Sequence, residues 1–282
     1  MSLTLITGAT GNVGSRLVQR LAARKQPVRA FIRKGEQAAK TPGVEYFEGD
    51  LGDAARVREA LRGVDKVYLL SAGPLTQQYD ANVIDAAIAE KVALVVKHSV
   101  SGAQWESVIF GRWHRAGEKR LEASKVPWTF IRPQSFASNA LMWTHSLKSG
   151  DAVYGNYGDV ALPVIHPDDI AAVAEVTLTS KGHEGKAYEI TGPQSLSTAE
   201  QVAILGKLLA RKLSYVDLPD EAVSKSMLSM GMEAPFVEAV VDLAKGLRPL
   251  GKVPPNDTVQ QLTGKAPRTF EQFLTENLAV FR

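Results

Sequence analysis

Along the first half of the chain, short apolar runs alternate with longer stretches of helical periodicity. Residues 3–6 form an apolar run, and residues 12–24 follow with Val13, Leu17, Val18 and Leu21 spaced for one helix face. Pro27 closes that helix, and residues 28–32 read as a second strand. Residues 44–47 form a third, followed by a helix over 53–61 with Val57, Ala60 and Leu61 on one face. The alternation continues with a strand at 66–70, a helix at 77–90 and a strand at 93–97. A charged segment of helical spacing at 112–124 then leads to a sixth strand at 128–131. The strand runs are continuously apolar rather than alternating, which predicts a parallel sheet covered on both faces. Right-handed crossovers between such strands give a doubly wound α/β fold.

The texture changes after Pro133. Residues 134–164 carry Gly150, Gly155 and Gly158 among Trp143, Tyr154 and Tyr157, and predict loops and short elements. Periodicity returns at 168–178, and 187–191 is strand-like. Ser197-Thr-Ala-Glu200 has the form of a capping box and predicts a helix running to Leu209. From there to Arg282 the reading is helical, broken at Pro254-Pro255. No internal repeat or low-complexity tract occurs.

The chemistry concentrates where the first strand meets the first helix. Thr7-Gly-Ala-Thr-Gly-Asn-Val-Gly14 places three glycines in the spacing G-x-x-G-x-x-G. Gly8 permits a tight turn, Gly11 lets the backbone approach a pyrophosphate, and Gly14 lets the helix pack close to the sheet. Amides at the helix N-terminus then hold the phosphate anion. A bare turn that binds nothing is the competing reading, weakened by the strand before it, the helix after it and the second strand beyond.

The end of the second strand bears on which dinucleotide fits. An NAD site usually presents a carboxylate there for the ribose 2′-OH. This strand ends Phe31-Ile-Arg33-Lys34, with no acid before Glu36. Two cations at that point suit a 2′-phosphate, which points to NADP(H); a solvated surface pair is the plainer alternative. Asp50, in Gly49-Asp50-Leu51 after the third strand, could accept from the adenine amine or simply make a turn.

Composition narrows the classes. The 282 residues suit one α/β domain with a smaller appendage. Thirty-three basic against 30 acidic residues leave a net charge of only +3, with no basic stripe, which argues against nucleic-acid binding. Cysteine is absent, so disulfides, thiolate metal sites and a cysteine nucleophile are excluded. No apolar run approaches a membrane span, and residues 3–6 follow no basic leader, which predicts a soluble cytoplasmic protein.

Four segments together carry a family resemblance: Thr7–Gly14, Gly49-Asp50-Leu51, residues 112–124, and Val126-Pro-Trp-Thr-Phe-Ile-Arg-Pro133. They resemble the atypical short-chain dehydrogenase/reductase superfamily, in its NmrA-like branch of quinone reductases, triphenylmethane dye reductases and redox-sensing regulators. Val164-Ile-His-Pro-Asp-Asp-Ile-Ala171 is similar to the stretch after that superfamily's substrate loop. The resemblance implies a Rossmann domain over 1–133, with 160–192 returning to it. A small, mostly helical C-terminal substrate lobe would comprise 134–159 and 193–282. It implies NADP(H) lying against Gly8, Thr10, Gly11, Asn12, Val13, Gly14, Arg33, Asp50 and Leu51. Ser71, Ala72 and Gly73 would pass under the nicotinamide-side ribose.

The sequence departs from the superfamily at one point. Ordinary members use a Tyr-x-x-x-Lys pair on the helix after strand five. Here the aligned helix reads His114-Arg-Ala-Gly-Glu118, and a carboxylate cannot do a lysine's electrostatic work. His114 would suit proton donation near neutral pH, or form a surface pair with Glu118 on a charged helix. His98 and Ser99 end strand five, where ligands bind in open α/β sheets. Ser99 and His114 are therefore the candidate catalytic residues. Trp105, Phe110 and Trp113 follow strand five, while Phe136, Asn139, Trp143 and Tyr154 are candidate pocket residues that could stack a flat acceptor. Two metal-ligand types at His114 and Glu118 make a poor metal site without a third, so no metal is expected. Arg132-Pro133 reads as fixing a turn. The leading expectation is NADPH-dependent hydride transfer to a planar, electron-poor acceptor such as a quinone or dye. The alternative is a catalytically silent NADP(H)-sensing regulator with a protein partner. A homodimer is a candidate assembly; nucleic acid and membrane are not expected partners.

Overall fold

The computed structural model describes residues 2–35 and 40–282, so Glu36 lies outside the described residues. The first elements are β1 (Thr4–Ile6), α1 (Gly14–Ala23), β2 (Val28–Ile32), β3 (Val44–Glu48), α2 (Ala54–Leu61) and β4 (Lys66–Leu69). Next come α3 (Thr76–Ala89), β5 (Leu94–His98), α4 (Ile109–Glu122), β6 (Trp128–Pro133), β7 (Ser135–Phe136), α5 (Thr144–Ser149) and β8 (Ala152–Gly155). They are followed by β9 (Leu162–Ile165), α6 (Pro167–Thr179), β10 (Lys186–Ile190), β11 (Ser195–Leu196), α7 (Thr198–Leu209) and β12 (Ser214–Asp217). The chain ends with α8 (Asp220–Ser229), α9 (Ala234–Leu247), α10 (Thr258–Thr263) and α11 (Phe270–Glu276).

The chain divides into two compact units. The first comprises Met1–Glu106, Gly111–Pro133 and Pro167–Glu189. Its sheet has the order β10-β6-β5-β4-β1-β2-β3, the Rossmann arrangement in which the strand order reverses between β1 and β4. Parallel registers run Thr4↔Val28, Thr4↔Lys66, Lys66↔Leu94, Val95↔Trp128 and Val28↔Val44. The strand runs are apolar because helices cover both faces. On one face, Leu5, Val67, Leu69 and Val95 pack with Val57 and Leu61 of α2, Val83 and Ile84 of α3, and Leu121 of α4. On the other face lie α1 and α6, which pack against each other. Arg20 of α1 bonds Glu175 of α6 at 2.8 Å and Asp168 at 3.2 Å, and Arg24 also pairs with Glu175. Edge strand β3 is only half-buried, with Glu45 and Glu48 exposed.

The second unit comprises Ser107–Phe110, Gln134–His166 and Ile190–Arg282. Its core gathers Ala137, Ala140, Leu147, Val164, Val202, Leu205 and the rings of Phe270, Phe273 and Phe281. The capping box closes as its spacing predicts: the Ser197 hydroxyl accepts from Glu200 N, and the Glu200 carboxylate from Ser197 N. One expectation fails here. Residues 214–217 form strand β12 rather than helix, paired in parallel with β8 through Ser214↔Ala152. A four-residue strand whose partner lies some sixty positions earlier leaves no local periodicity to read. Helix α4 also begins earlier than its charges suggest, because Ile109 N donates to the Asp242 carboxylate at 2.6 Å.

Candidate active site

The glycine turn sits at the end of β1, beside the reversal in strand order where ligands bind in this class of sheet. Gly8 has φ +60°, a left-handed conformation that favours glycine, and a Cβ there would lie 2.7 Å from Leu70 Cδ2. A Cβ on Gly14 would lie 2.1 Å from Gly8 O, so helix α1 starts against the turn's own backbone. Gly11 differs. It is exposed, and a Cβ there would meet only Gly8 O, at 3.3 Å. A side chain at 11 would press that one backbone oxygen by a few tenths of an ångström and meet no other nearby atom of the protein, so this side of the turn is open to a ligand. Among the described residues, no side chain caps the N-terminus of α1. An open backbone cradle before an uncapped helix of ten residues fits a pyrophosphate.

Thr7 pins this turn to β4. Its hydroxyl donates to Leu70 O and accepts from Leu70 N, both at 2.7 Å. Thr10, Asn12 and Val13 lie on the same turn, where Asn12 is exposed and its carbonyl accepts from Arg16 at 2.8 Å. Arg33 and Lys34 follow the last residue of β2 and are exposed. Asp50 makes a turn, its carboxylate accepting from Gly52 N at 2.7 Å, and neighbouring Leu51 packs on the core.

Beyond β4 and β5 the structure gathers buried polar groups that the sequence reading left on the surface or passed over. Val95, Lys97 and Ser99 alternate onto the face covered by α3 and α4, while His98 points to the opposite face. Lys97 is fully buried and its ammonium meets the equally buried Asp80 of α3 at 2.5 Å. The second Asp80 oxygen accepts from the buried Ser71 hydroxyl at 2.7 Å. Ala72 and Gly73 follow Ser71 in the connection to α3. A strand lysine among valines requires a carboxylate partner, and Asp80 shares the helix stripe of Val83, Ile84 and Ala87. That spacing is the signal by which the sequence could have given it.

Glu118, for which a surface or interface pair with His114 is one reading of the sequence, is completely buried and bonded elsewhere. Arg132 of β6 grips it bidentately at 2.9 and 2.8 Å, and Arg115 reaches it at 3.1 Å. Burial works against its charge, but hydrogen bonds from Arg132 and Arg115 with the Arg132 charge hold its carboxyl below the usual value. Arg132 therefore does more than fix a turn.

His114 is buried, with no hydrogen-bond partner for Nδ1 among the described residues. Burial, then the nearby charges of Lys97 and His98, hold its pKa well below 6.5. His114 is therefore held toward its uncharged form at neutral pH, a form that hydrogen-bonds more readily than it gives up a proton. His98, whose Nδ1 shares a 2.6 Å hydrogen bond with Tyr68 OH, is pushed down to about 3 by burial and Lys97. In the unfolded chain both histidines return to ordinary values, so the unfolded state binds more protons below about pH 6.5. Stability is then full above pH 6.5 and falls as pH drops, by up to about 1.4 kcal/mol per unit for each histidine. Urea midpoints measured from pH 7.5 to 4.5 should fall steeply, and less steeply in His98→Asn. An unchanged slope in that variant would remove the assignment.

Trp105 is 72% exposed and Trp113 half-buried, while Phe110 stacks edge-on with Phe236 at 5.8 Å in the second unit. Within that unit Phe136, Asn139 and Trp143 follow one another along β7 and the 3-10 helix Ala137–Trp143. Trp143 packs against Phe270 at 6.4 Å, and Tyr154 stands exposed on β8. Among the described residues, no three His, Asp or Glu side chains could hold a metal, and no helix is long and apolar enough to cross a membrane.

Residues 8–180 match the family described as NAD(P)H-binding. The chain is 37% identical over 282 residues to a (4-alkanoyl-5-oxo-2,5-dihydrofuran-3-yl)methyl phosphate reductase of Streptomyces griseus, covering 99% of each chain. It is 34% identical to an NAD(P)H azoreductase of Xenophilus azovorans, again over 99% of each. Its fold is similar to that of the NADPH-dependent quinone oxidoreductase QOR2 of Escherichia coli complexed with NADPH, with TM-score 0.83 and 25% identity. That match covers 98% of this chain and 99% of the other. The chain belongs to the NAD(P)H-binding family, within the atypical short-chain dehydrogenase/reductase superfamily, and is an NAD(P)H-dependent oxidoreductase.

Proposed function

We propose that the protein reduces planar, conjugated, electron-poor acceptors, such as quinones or dyes, by hydride transfer from NADPH. The observation that carries this reading is that, among the described residues, the histidines, Lys97 and Glu118 gathered beyond β4 and β5 are buried and either paired or held toward their uncharged form. His98 and His114 are neutral at pH 7, Lys97 is paired with Asp80, and Glu118 is locked to Arg132. An acceptor that spreads the incoming charge over a conjugated system needs no acid in the transition state. Bound NADPH supplies the hydride from its dihydronicotinamide, and the acceptor anion takes its proton from water. The relatives support the same chemistry: an azo bond, a quinone and an acyl-substituted unsaturated lactone are all conjugated acceptors.

In this reading Gly8, Thr10, Gly11, Asn12, Val13 and Gly14 cradle the pyrophosphate, and Asp50 and Leu51 flank the adenine. Ser71, Ala72 and Gly73 run beneath the nicotinamide-side ribose. His114 and Ser99 contribute hydrogen bonds rather than protons. Residues 134–159 and 193–282 serve as the substrate lobe, with Phe136, Asn139, Trp143 and Tyr154 as candidate acceptor contacts. Arg33 carries the 2′-phosphate. Arg33→Ala should weaken NADPH by about tenfold or more while leaving NADH within about twofold, since only one of them bears the charge lost. Equal losses in fluorescence titrations would remove the 2′-phosphate assignment.

The deciding experiment follows NADPH absorbance with a panel of quinones, azo dyes and cationic dyes, with NADH in parallel. Turnover faster with NADPH is expected. Silence across the panel with NADPH binding intact would overturn the proposal in favour of an NADP(H)-sensing regulator.

A further inference from the structure

We propose that the Asp80–Lys97 ion pair is a positioning clamp for the reduced nicotinamide, acting through Ser71 on the backbone that leaves β4. The inference rests on the cofactor placement proposed above. Its first support is the cost of the pair. Both side chains are fully buried, and their charges are 2.5 Å apart. A well-packed apolar pair of equal volume is often as stable as a buried ion pair or more so, so stability alone does not account for these charges. The surrounding chain also makes room for them. A Cβ on Gly117 of α4 would fall 2.3 Å from Asp80 Oδ2 and 2.9 Å from Lys97 Cε.

The second support is what the pair holds. Lys97 fixes one Asp80 oxygen, and the other receives the Ser71 hydroxyl at 2.7 Å. One residue earlier, Leu70 is held through both backbone groups by Thr7 at 2.7 Å. Residues 70 and 71 are thus pinned from β1 on one side and from α3 and β5 on the other, beside the reversal in strand order. Hydride transfer depends steeply on how the donor carbon is held, whereas dinucleotide affinity rests largely on the pyrophosphate and adenosine ends. A clamp at residue 71 should therefore affect turnover far more than binding.

Ser71→Ala removes only the linking hydroxyl. The double variant K97M/D80L replaces both charges with apolar groups of similar volume. Three quantities are measured for each: thermal midpoint, NADPH affinity, and emission anisotropy decay of bound NADPH, which reports ring mobility without turnover. Both variants should fold and bind NADPH within about threefold of wild type. Both should show a fast depolarising component absent from wild type and lose about tenfold in kcat at unchanged acceptor KM. If the double variant does not fold, Ser71→Ala alone carries the test. An ordered nicotinamide and wild-type kcat in a folded variant would overturn the clamp alone. A wild type that binds no NADPH would overturn the clamp together with the cofactor placement.

Discussion

Gly11→Val is expected to leave the protein folded and to lower NADPH affinity by at least about a hundredfold, or about 2.7 kcal/mol. The argument turns on the contrast between two glycines three residues apart. At Gly14 an added Cβ would stand 2.1 Å from Gly8 O and 2.7 Å from Gly8 C, so Gly14→Ala attacks the fold itself. At Gly11 the same atom would meet only Gly8 O, at 3.3 Å, and the residue is exposed. In the proposed cofactor placement, a valine there would occupy the space of the dinucleotide phosphates. Thermal unfolding and fluorescence titration of the two variants separate these effects. Unchanged NADPH affinity in folded Gly11→Val would sink the phosphate-cradle assignment.

Glu118→Ala should be the most destabilising single change among the charged residues of α4, at about 3–5 kcal/mol. It leaves Arg132, only 9% exposed, without its bidentate partner, and the other carboxylate near it, Glu189, is 3.7 Å away. Arg115 is compensated, because Glu122 holds it at 2.8 and 2.9 Å. Equilibrium urea unfolding gives the magnitude. A residue that merely occupied the superfamily's lysine position for chemistry would lose turnover with stability intact. That outcome would refute the structural role given to the Glu118–Arg132 pair.

Legibility differed between the fold and the site for a physical reason. The glycine turn, the apolar strands and the Ser197–Glu200 box are local patterns, and the structure reproduces them within a residue or two. Lys97, Asp80, Glu118 and Arg132 were harder to read because each is neutralised by a residue 14 or 17 positions away. A charge is assigned to the surface by default, and only its partner reverses that assignment. The start of α4 was hidden more deeply, since its first amide is satisfied by Asp242, 133 residues later. Strand β12 carried no periodicity at all and exists through its pairing with β8.

The arginines of α1 have a consequence for the order in which the molecule is made. Arg20 and Arg24 lie in the helix that opens at the glycine turn, yet their carboxylate partner Glu175 emerges about 150 residues later. At about 5–20 residues per second, a growing chain exposes that helix for many seconds before α6 can cover it. Helix α1 is therefore translated well before the carboxylate that neutralises its two arginines. A chain cut before residue 167 would keep every glycine of the turn and lack the helix that packs against α1.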